Sequence, residues 1–511
     1  MKKIKKKNSF FRSAFIVSGL TLVSRFTGLF RDILISNVLG ISFVADAFFM
    51  ALRLPNIFRR ITAEGAFSSA FIPIFLKFFS GSKNKAITFA QEVLYFLIIS
   101  ITAITCLLQV LMPLVMYLMA YGFSDDPIKF NLTIIYAQIT APYILFISLS
   151  SLGVGILNSQ GKYSVTSLSP IILNIFLIVA LLLPIKDIIL TGYILAFAVT
   201  ISGIFQFTLI IFALKRSGYS LKLKKPKNYN KINKFLDRAK PQIGNGFALQ
   251  VNILISGLIA SFEQGGISTL YYAERLYQLP LALFGLSIGT VLLPTLSSLD
   301  PRKDLEEINI VIKKSLRFAL IMSIPSAIGL SMVSIPLIEA IYQHGLFNSL
   351  NTLIVSKTLI AFSFGLPAFV LIKIYLPIFY SLGDTKSPFR YSLASIIINI
   401  ALALLLFPKY GVIGLAISTS LSSWVNLFLL INKLKDSTIS IFLMKLDIDL
   451  LKIIIASFLM SLIIYFCSIL MIDLSGILFL SILILTGVIS YFLILFLLGV
   501  LSKNDIPSII R

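Results

Sequence analysis

Histidine, cysteine and acid are all scarce in this chain. One histidine, His344, and two cysteines, Cys106 and Cys467, stand in 511 residues, so neither a disulfide framework nor a Cys/His metal cluster can be assembled. No GxSxG elbow and no phosphate-binding glycine loop occurs, and the adjacent carboxylates Asp125 and Asp126 read as a solvated loop, so no enzyme is expected. Charge of either sign is scarce: Asp, Glu, Lys and Arg together make 13% of the chain, against about 25% in soluble domains. With 58% hydrophobic residues and a mean hydropathy of +0.97, a soluble globular domain is excluded.

What fills the space is a succession of apolar runs, each about twenty residues long and bounded by Lys/Arg, Pro/Gly or short polar stretches, as helices crossing a ~30 Å hydrocarbon layer require. The expected fold is all-α and polytopic, with about fourteen spans at 14–38, 43–64, 88–120, 131–157, 163–184, 188–214, 241–262, 270–297, 310–336, 352–380, 388–408, 411–432, 449–471 and 475–500.

A net charge of +23 would suit nucleic acid, but the charges alternate from loop to loop, which is the signature of membrane topology instead. With the N-terminus inside, inner segments hold about thirty Lys/Arg against about four outside. Both termini are therefore expected in the cytoplasm, with Asp125, Asp126, Asp187, Glu263, Glu339 and Asp473 in outer loops. The opening MKKIKKKNSFFRSAF has the charge of a signal-peptide n-region, yet no small-residue cleavage site ends the apolar run after it, so it reads as an uncleaved first span.

The chain contains an internal duplication. IILNIFL at 171–177 recurs as IIINIAL at 396–402, placing Asn174 against Asn399, 225 positions on; the same offset pairs Pro142 with Pro367 and Leu54-Pro55 with Leu279-Pro280. An even number of spans separates the copies, so the repeats are parallel. The organisation expected is a basic cytoplasmic N-terminus at 1–13, a six-helix bundle at 14–214, a basic cytoplasmic linker at 215–240 able to touch anionic lipid headgroups, a second six-helix bundle at 241–432, and two additional C-terminal helices and a tail at 433–511. Paired bundles of this kind commonly hold substrate between them and rock to expose it.

Three expected spans carry charges that do not belong in lipid. The first holds Arg25, Arg31 and Asp32; the second Asp46, Arg53, Arg59, Arg60 and Glu64; the eighth Glu274 and Arg275. An Arg at the bilayer centre costs at least ~2.5–3.5 kcal/mol on insertion scales, so these residues must pair or line a wet cavity. Arg25 and Asp32 are expected to share a helix face, and Arg60 and Glu64 to form an i,i+4 pair. Arg31, Arg59 and Arg275 have no evident partner in their own helices. Lys373, deep in the tenth span, reads equally as snorkelling or as cavity lining. An excess of guanidinium groups in such a cavity suits the oxygens of phosphate or pyrophosphate.

At SRFTGLFRD (24–32), ADAFFMALRLPNIFRRITAEGAFSSAFIPIF (45–75), PYILFISLSSLGVGILNS (142–159) and YYAERLYQLP (271–280) the sequence closely resembles the MurJ/MviN family of lipid II flippases. That family is part of the multidrug/oligosaccharidyl-lipid/polysaccharide exporter superfamily. The resemblance implies transport of lipid II, the undecaprenyl-pyrophosphate-linked peptidoglycan precursor, across the bacterial inner membrane by alternating access. It implies substrate-binding roles for Arg25, Arg31, Arg59 and Arg275; around them Asp32, Asp46, Arg53, Arg60, Glu64, Glu274 and Lys373, read from the embedded charges, are expected to support the cavity. It also implies a groove for the polyprenyl tail on the two C-terminal helices.

Some members of the family are associated with sodium. If Asn399 and Thr419 fall in that region here, the carboxylate expected one turn after the Asn is Ala403, which argues against sodium coupling and leaves the membrane potential as the expected drive. Besides lipid II and membrane lipids, partners among cell-wall synthesis proteins are an expectation, and no cofactor, metal or nucleic acid is expected. Competing readings are a flippase for another polyprenyl-linked glycan, a cation-coupled drug exporter of the same superfamily, for which the basic excess has the wrong sign, and a membrane enzyme acting on polyprenyl phosphates.

Overall fold

In a hydrocarbon layer the backbone amides have only one another as partners, and a helix satisfies all of them within one segment. The computed structural model follows that rule: among its described residues, 2–62, 66–226, 229–300, 303–435, 448–471 and 476–500, there are helices and turns and no strand. Side chains are described from residue 19 on, except at 66, 68, 69 and 241–249. The helices fall into two units that part between Ile267 and Ser268.

The first unit contains α1 (Lys2–Leu39), α2 (Phe43–Thr62), α3 (Ala66–Gly81), α4 (Lys83–Met119), a 3₁₀ turn at Tyr121–Phe123, α5 (Pro127–Thr140), α6 (Pro142–Ser159), α7 (Tyr163–Leu181), α8 (Ile188–Arg216) and α9 (Asn230–Ala260). α1 packs on α7, α2 on α5, and α6 and α7 both on α8. The expected span 131–157 is broken at Ala141, because Pro142 opens the next helix and a proline has no N–H to continue the last one. The acids expected in outer loops have a local use here: Asp126 accepts from the amides of Ile128 and Lys129, and Asp187 from those of Ile189 and Leu190, capping α5 and α8.

α3 lies in a stretch that hydropathy leaves as a connection. Its Phe71 stacks on Phe75 and Phe89 with ring centroids 5.4 and 5.7 Å apart and meets Phe235 of α9 edge-on at 6.5 Å. α9, expected to open the second bundle, packs on α2, α3 and α4. The packing boundary thus lies one helix beyond the basic linker at 215–240.

The second unit contains α10 (Gly266–Pro280), a π turn at Leu281–Leu286, α11 (Ser287–Ser297), α12 (Leu305–Met332), α13 (Ser334–Tyr342), α14 (Ser349–Ser381), α15 (Lys386–Lys435), α16 (Ile448–Leu470) and α17 (Gly476–Leu497). α14 is its spine, packed against α11, α12, α13 and α15, while α16 and α17 pack on each other and on α12 and α13. α15 is two helices in line, parted at Gly411 with φ 55° and ψ −139°, a conformation open to glycine and strained for anything else.

By length and composition, ten helical stretches of the described residues can cross a membrane, so the chain is a multi-span membrane protein. Each expected span overlaps helix, with 131–157 and 310–336 each crossing a break between two helices. α2 fails the composition test because Asp46, Arg53, Arg59 and Arg60 share its twenty residues, which returns attention to those charges.

Candidate functional site

Arg31 sits on α1 with only 8% of its surface exposed. Its Nε and Nη2 donate to Asp32 Oδ1 at 3.0 and 2.6 Å, and its Nη1 donates to Asn174 Oδ1 of α7 at 2.8 Å. Asn174 in turn donates to the Ser24 carbonyl and to Thr27 Oγ1, both at 3.1 Å. Gly28 faces that amide, with an ideal Cβ there at an ordinary contact distance of 3.5 Å from Asn174 Nδ2.

This corrects two expectations. Arg31 has partners, and Asp32 is bonded by Arg31 where Arg25 was expected; Arg25 itself is exposed. Seven residues of helix put roughly 10.5 Å of rise between Arg25 and Asp32, whereas the long Arg31 side chain folds back onto its neighbour. Asn174, known from the sequence only as a repeat position, is the residue that holds α7 to this cluster.

On α2 the arginines reach toward α9. Arg53 Nη1 donates to the Ile253 carbonyl at 2.8 Å, and Arg60 Nη1 to Gln250 Oε1 at 3.3 Å. Gly257 is the gap that receives Arg53, for a Cβ at that position would collide with its Nη1. Arg60 therefore has an interhelical amide partner; Glu64, its expected partner, lies outside the described residues. Arg59, between these two, is half-buried.

At the other end of α2 stands a cluster that sequence reasoning placed in a cavity. Asp46, fully buried, bonds Lys129 Nζ at 2.7 Å and accepts from the Gly265 amide at 2.8 Å. The Lys129 ammonium also lies over the Phe123 ring, 3.8 Å from its centroid. Asp46 is thus a structural tie among α2, α5 and the turn after α9. Lys129, just ahead of the expected span 131–157, is not singled out by the sequence, and its burial depends on the fold.

In the second unit Arg275 of α10 donates to the Tyr271 hydroxyl at 2.9 Å and stacks over that ring at 4.8 Å. These are i,i+4 neighbours, so the arrangement is written in the sequence. Arg275 and Glu274 are half-buried. At Lys373 the backbones of α11 and α14 come close, since a Cβ on Gly289 would lie 2.7 Å from the Lys373 carbonyl, and Gly285, in the π turn, faces its side chain at an ordinary contact distance of 3.5 Å from Cγ. A π turn beside a lysine within a span fits the association of such turns with function.

The same unit has a cavity of about 990 Å³ between α12, α14, α15 and α16, walled by side chains such as Leu320, Ile328, Phe364, Leu427 and Ile454. α16 is the first of the two appended helices, so this is where the groove implied by the resemblance would lie. Among the described residues no three His, Cys, Asp or Glu groups meet as metal ligands. Asn399 and Ala403 are buried on α15, and Thr419 bonds back to the Leu415 carbonyl at 2.9 Å.

The family model described as lipid II flippase MurJ matches residues 35–486. The chain is 37% identical over 415 residues to the Rhizobium tropici protein named "Probable lipid II flippase MurJ", covering 80% of this chain and 78% of that one. Among solved structures it is similar to the lipid II flippase MurJ in an inward closed conformation, with a TM-score of 0.79, 29% identity, and 97% of this chain and 100% of the other covered. An inward-facing multidrug resistance MATE family transporter of the MOP superfamily shares the fold at a TM-score of 0.69 and 14% identity, over 84% of this chain and 100% of that one.

Proposed function

The chain belongs to the lipid II flippase MurJ family, and from that membership and the arginines described above we propose that it carries lipid II between the leaflets of the membrane by alternating access. It acts as a transporter and makes or breaks no covalent bond in its substrate. The membrane is the bacterial inner membrane, with both termini in the cytoplasm.

The observation that supports this most is the state of the membrane-embedded arginines. Arg25 is exposed and Arg59 and Arg275 are half-buried, on helices whose other residues are mostly apolar. Guanidinium groups that are not sealed into a core offer the forked donors that a diphosphate needs. Arg25, Arg59 and Arg275 are the residues assigned to the diphosphate. Arg31 is assigned a positioning part, since it bonds its neighbour Asp32 and ties α1 to Asn174 of α7. Lys373 adds positive charge in the second unit, and Arg53, Arg60 and Asp46 maintain the scaffold.

The drive assigned is the membrane potential. A headgroup with about two negative charges gains roughly 4–5 kcal/mol on moving outward through ~100 mV, inside negative. Sodium is given no part, because Ala403 supplies no carboxylate beside Asn399.

The test is the appearance of lipid II at the outer face of cells whose only flippase is this chain. Arg59→Ala and Arg275→Ala are expected to lower it at least tenfold, the scale of one lost charge-assisted contact. Wild-type exposure of lipid II in both variants would remove these residues from the mechanism.

A further inference from the structure

Between α7 and α8 of the first unit lies a cleft of about 400 Å³, walled by Ile172, Ile175 and Phe176 from one helix and Phe205, Leu209 and Phe212 from the other. Thr208 also lines it, and its hydroxyl is spent on the Ile204 carbonyl at 2.8 Å, so the wall suits hydrocarbon. Ile175, Phe205 and Phe212 are 48%, 54% and 62% exposed, which leaves the cleft open along the lipid-facing side of the helices. Phe176 and Phe205, with ring centroids 4.8 Å apart, meet at the end farthest from the basic linker.

Toward the linker the same face of α8 becomes charged. Phe205, Leu209, Phe212 and Arg216 follow at spacings of four, three and four, one stripe along the helix, and Lys215 stands beside Arg216. Lys162, just ahead of α7, donates to Ser217 Oγ at 2.9 Å, which brings a third cation to this end. Lys215 and Arg216 are exposed, and among the described residues no ion pair engages any of the three. From Phe205 to Arg216 the helix rises roughly 16 Å. One acyl chain spans about half of the ~30 Å hydrocarbon layer, so this distance fits a phospholipid chain and its phosphate and is too short for a long isoprenoid.

We propose that an anionic phospholipid of the leaflet nearest the basic linker binds here, with one acyl chain in the cleft and its phosphate on Lys215 and Arg216. Lys162 adds charge at the mouth. Juxtamembrane cations attract anionic headgroups, and the cleft fixes where the chain lies, so head and tail are held together. The α7 wall brackets Asn174, which bonds Arg31 at 2.8 Å from the opposite face of the helix. A bound chain therefore steadies the turn that carries the partner of Arg31.

The experiment uses full-length protein in nanodiscs of phosphatidylcholine, with a phosphatidylglycerol probe photoreactive midway along one chain and the labelled residues located by peptide mass spectrometry. Label is expected at 172–176 and 205–212 and is displaced by unlabelled phosphatidylglycerol. A phosphatidylcholine probe with the same photoreactive chain is expected to mark the cleft no more than the lipid-facing side of α4. In Lys215→Glu/Arg216→Glu the anionic label in the cleft should fall at least tenfold, with label on α4 unchanged. Arg216→Gln alone, a mild change at an exposed position, should lower it in the same direction, and Leu209→Trp, which fills the cleft, should remove it.

Label spread evenly over the lipid-facing helices, or unchanged in Arg216→Gln and in the double variant, overturns the site. Displacement of the probe by undecaprenyl phosphate as readily as by phosphatidylglycerol overturns the choice of occupant. Amide exchange at residues 171–178 is expected to slow when phosphatidylglycerol is added to the wild-type protein, and exchange equally fast with and without it overturns the link to Asn174.

Discussion

Asp46 and Lys129 meet at 2.7 Å with side-chain exposures of 0% and 6%, and at that depth each charge depends on the other. Removing one strands its partner without water, which costs about 3–5 kcal/mol, whereas replacing both with apolar groups is often tolerated. Lys129→Met is therefore expected to lower the unfolding temperature of the purified protein markedly, and Asp46→Leu/Lys129→Met to recover much of the loss; equal effects of the single and double changes would show that the pair is not coupled. At Arg275 the fork of donors, not the charge alone, is assigned to the diphosphate. Arg275→Lys should impair lipid II exposure nearly as much as Arg275→Ala, and full activity of the lysine variant would make point charge the sufficient feature.

Asp384 lies in the turn before α15 and shows a pH effect with a defined sign. The Ser387 hydroxyl and amide, with the Lys386 amide, hold its carboxyl below the ordinary carboxylate value. A depressed folded-state value means stability that is present above the unfolded value near ~3.9 and is lost as the pH falls through the folded one. Asp384→Asn should therefore flatten the acid limb of the protein's thermal stability curve and leave neutral pH little changed. An acid limb identical to wild type would show that the turn contributes nothing there.

Among elements, the two glycines that matter most act through geometry. At Gly411 a side chain must adopt φ 55° and ψ −139°, so Gly411→Ala is expected to cost about 1–3 kcal/mol, seen as a lower unfolding temperature. Gly257→Ala would push Arg53 out of the gap through which it bonds the Ile253 carbonyl. Loosening of α9 is then expected as faster amide exchange at residues 250–260, with α5 and α8 as unaffected internal controls.

Elements of continuous apolar sequence such as α4, α16 and α17 were legible as spans because hydrocarbon thickness and backbone hydrogen bonding leave a single solution. α3 was not, since its sixteen residues are too few to cross and its burial rests on aromatic partners from α4 and α9. The break before Pro142 and the unbroken course of α14 through Pro367 show equivalent prolines with different outcomes. A proline only removes a donor; the neighbours decide whether the helix continues.

For the whole molecule the assigned drive makes a prediction of its own. In vesicles holding the purified chain, an imposed potential that is negative on the side where lipid II starts should speed its transfer, and reversing the potential should slow it; indifference to both would remove the field from the mechanism. A sodium gradient at zero potential is expected to change nothing.

The helical class, the membrane setting, the duplication and the family were determined by the sequence alone, because they depend on run length, composition and motifs that are properties of the chain as a string. Which charges hold the fold and which stay exposed was decided only by the tertiary structure. Arg31 finds Asn174 across 143 positions, Arg53 finds Ile253 across 200, and Asp46 finds Lys129 across 83. A guanidinium or carboxylate is neutralised by whatever packing brings within about 3 Å, and no local pattern encodes a distance between helices so far apart in the chain.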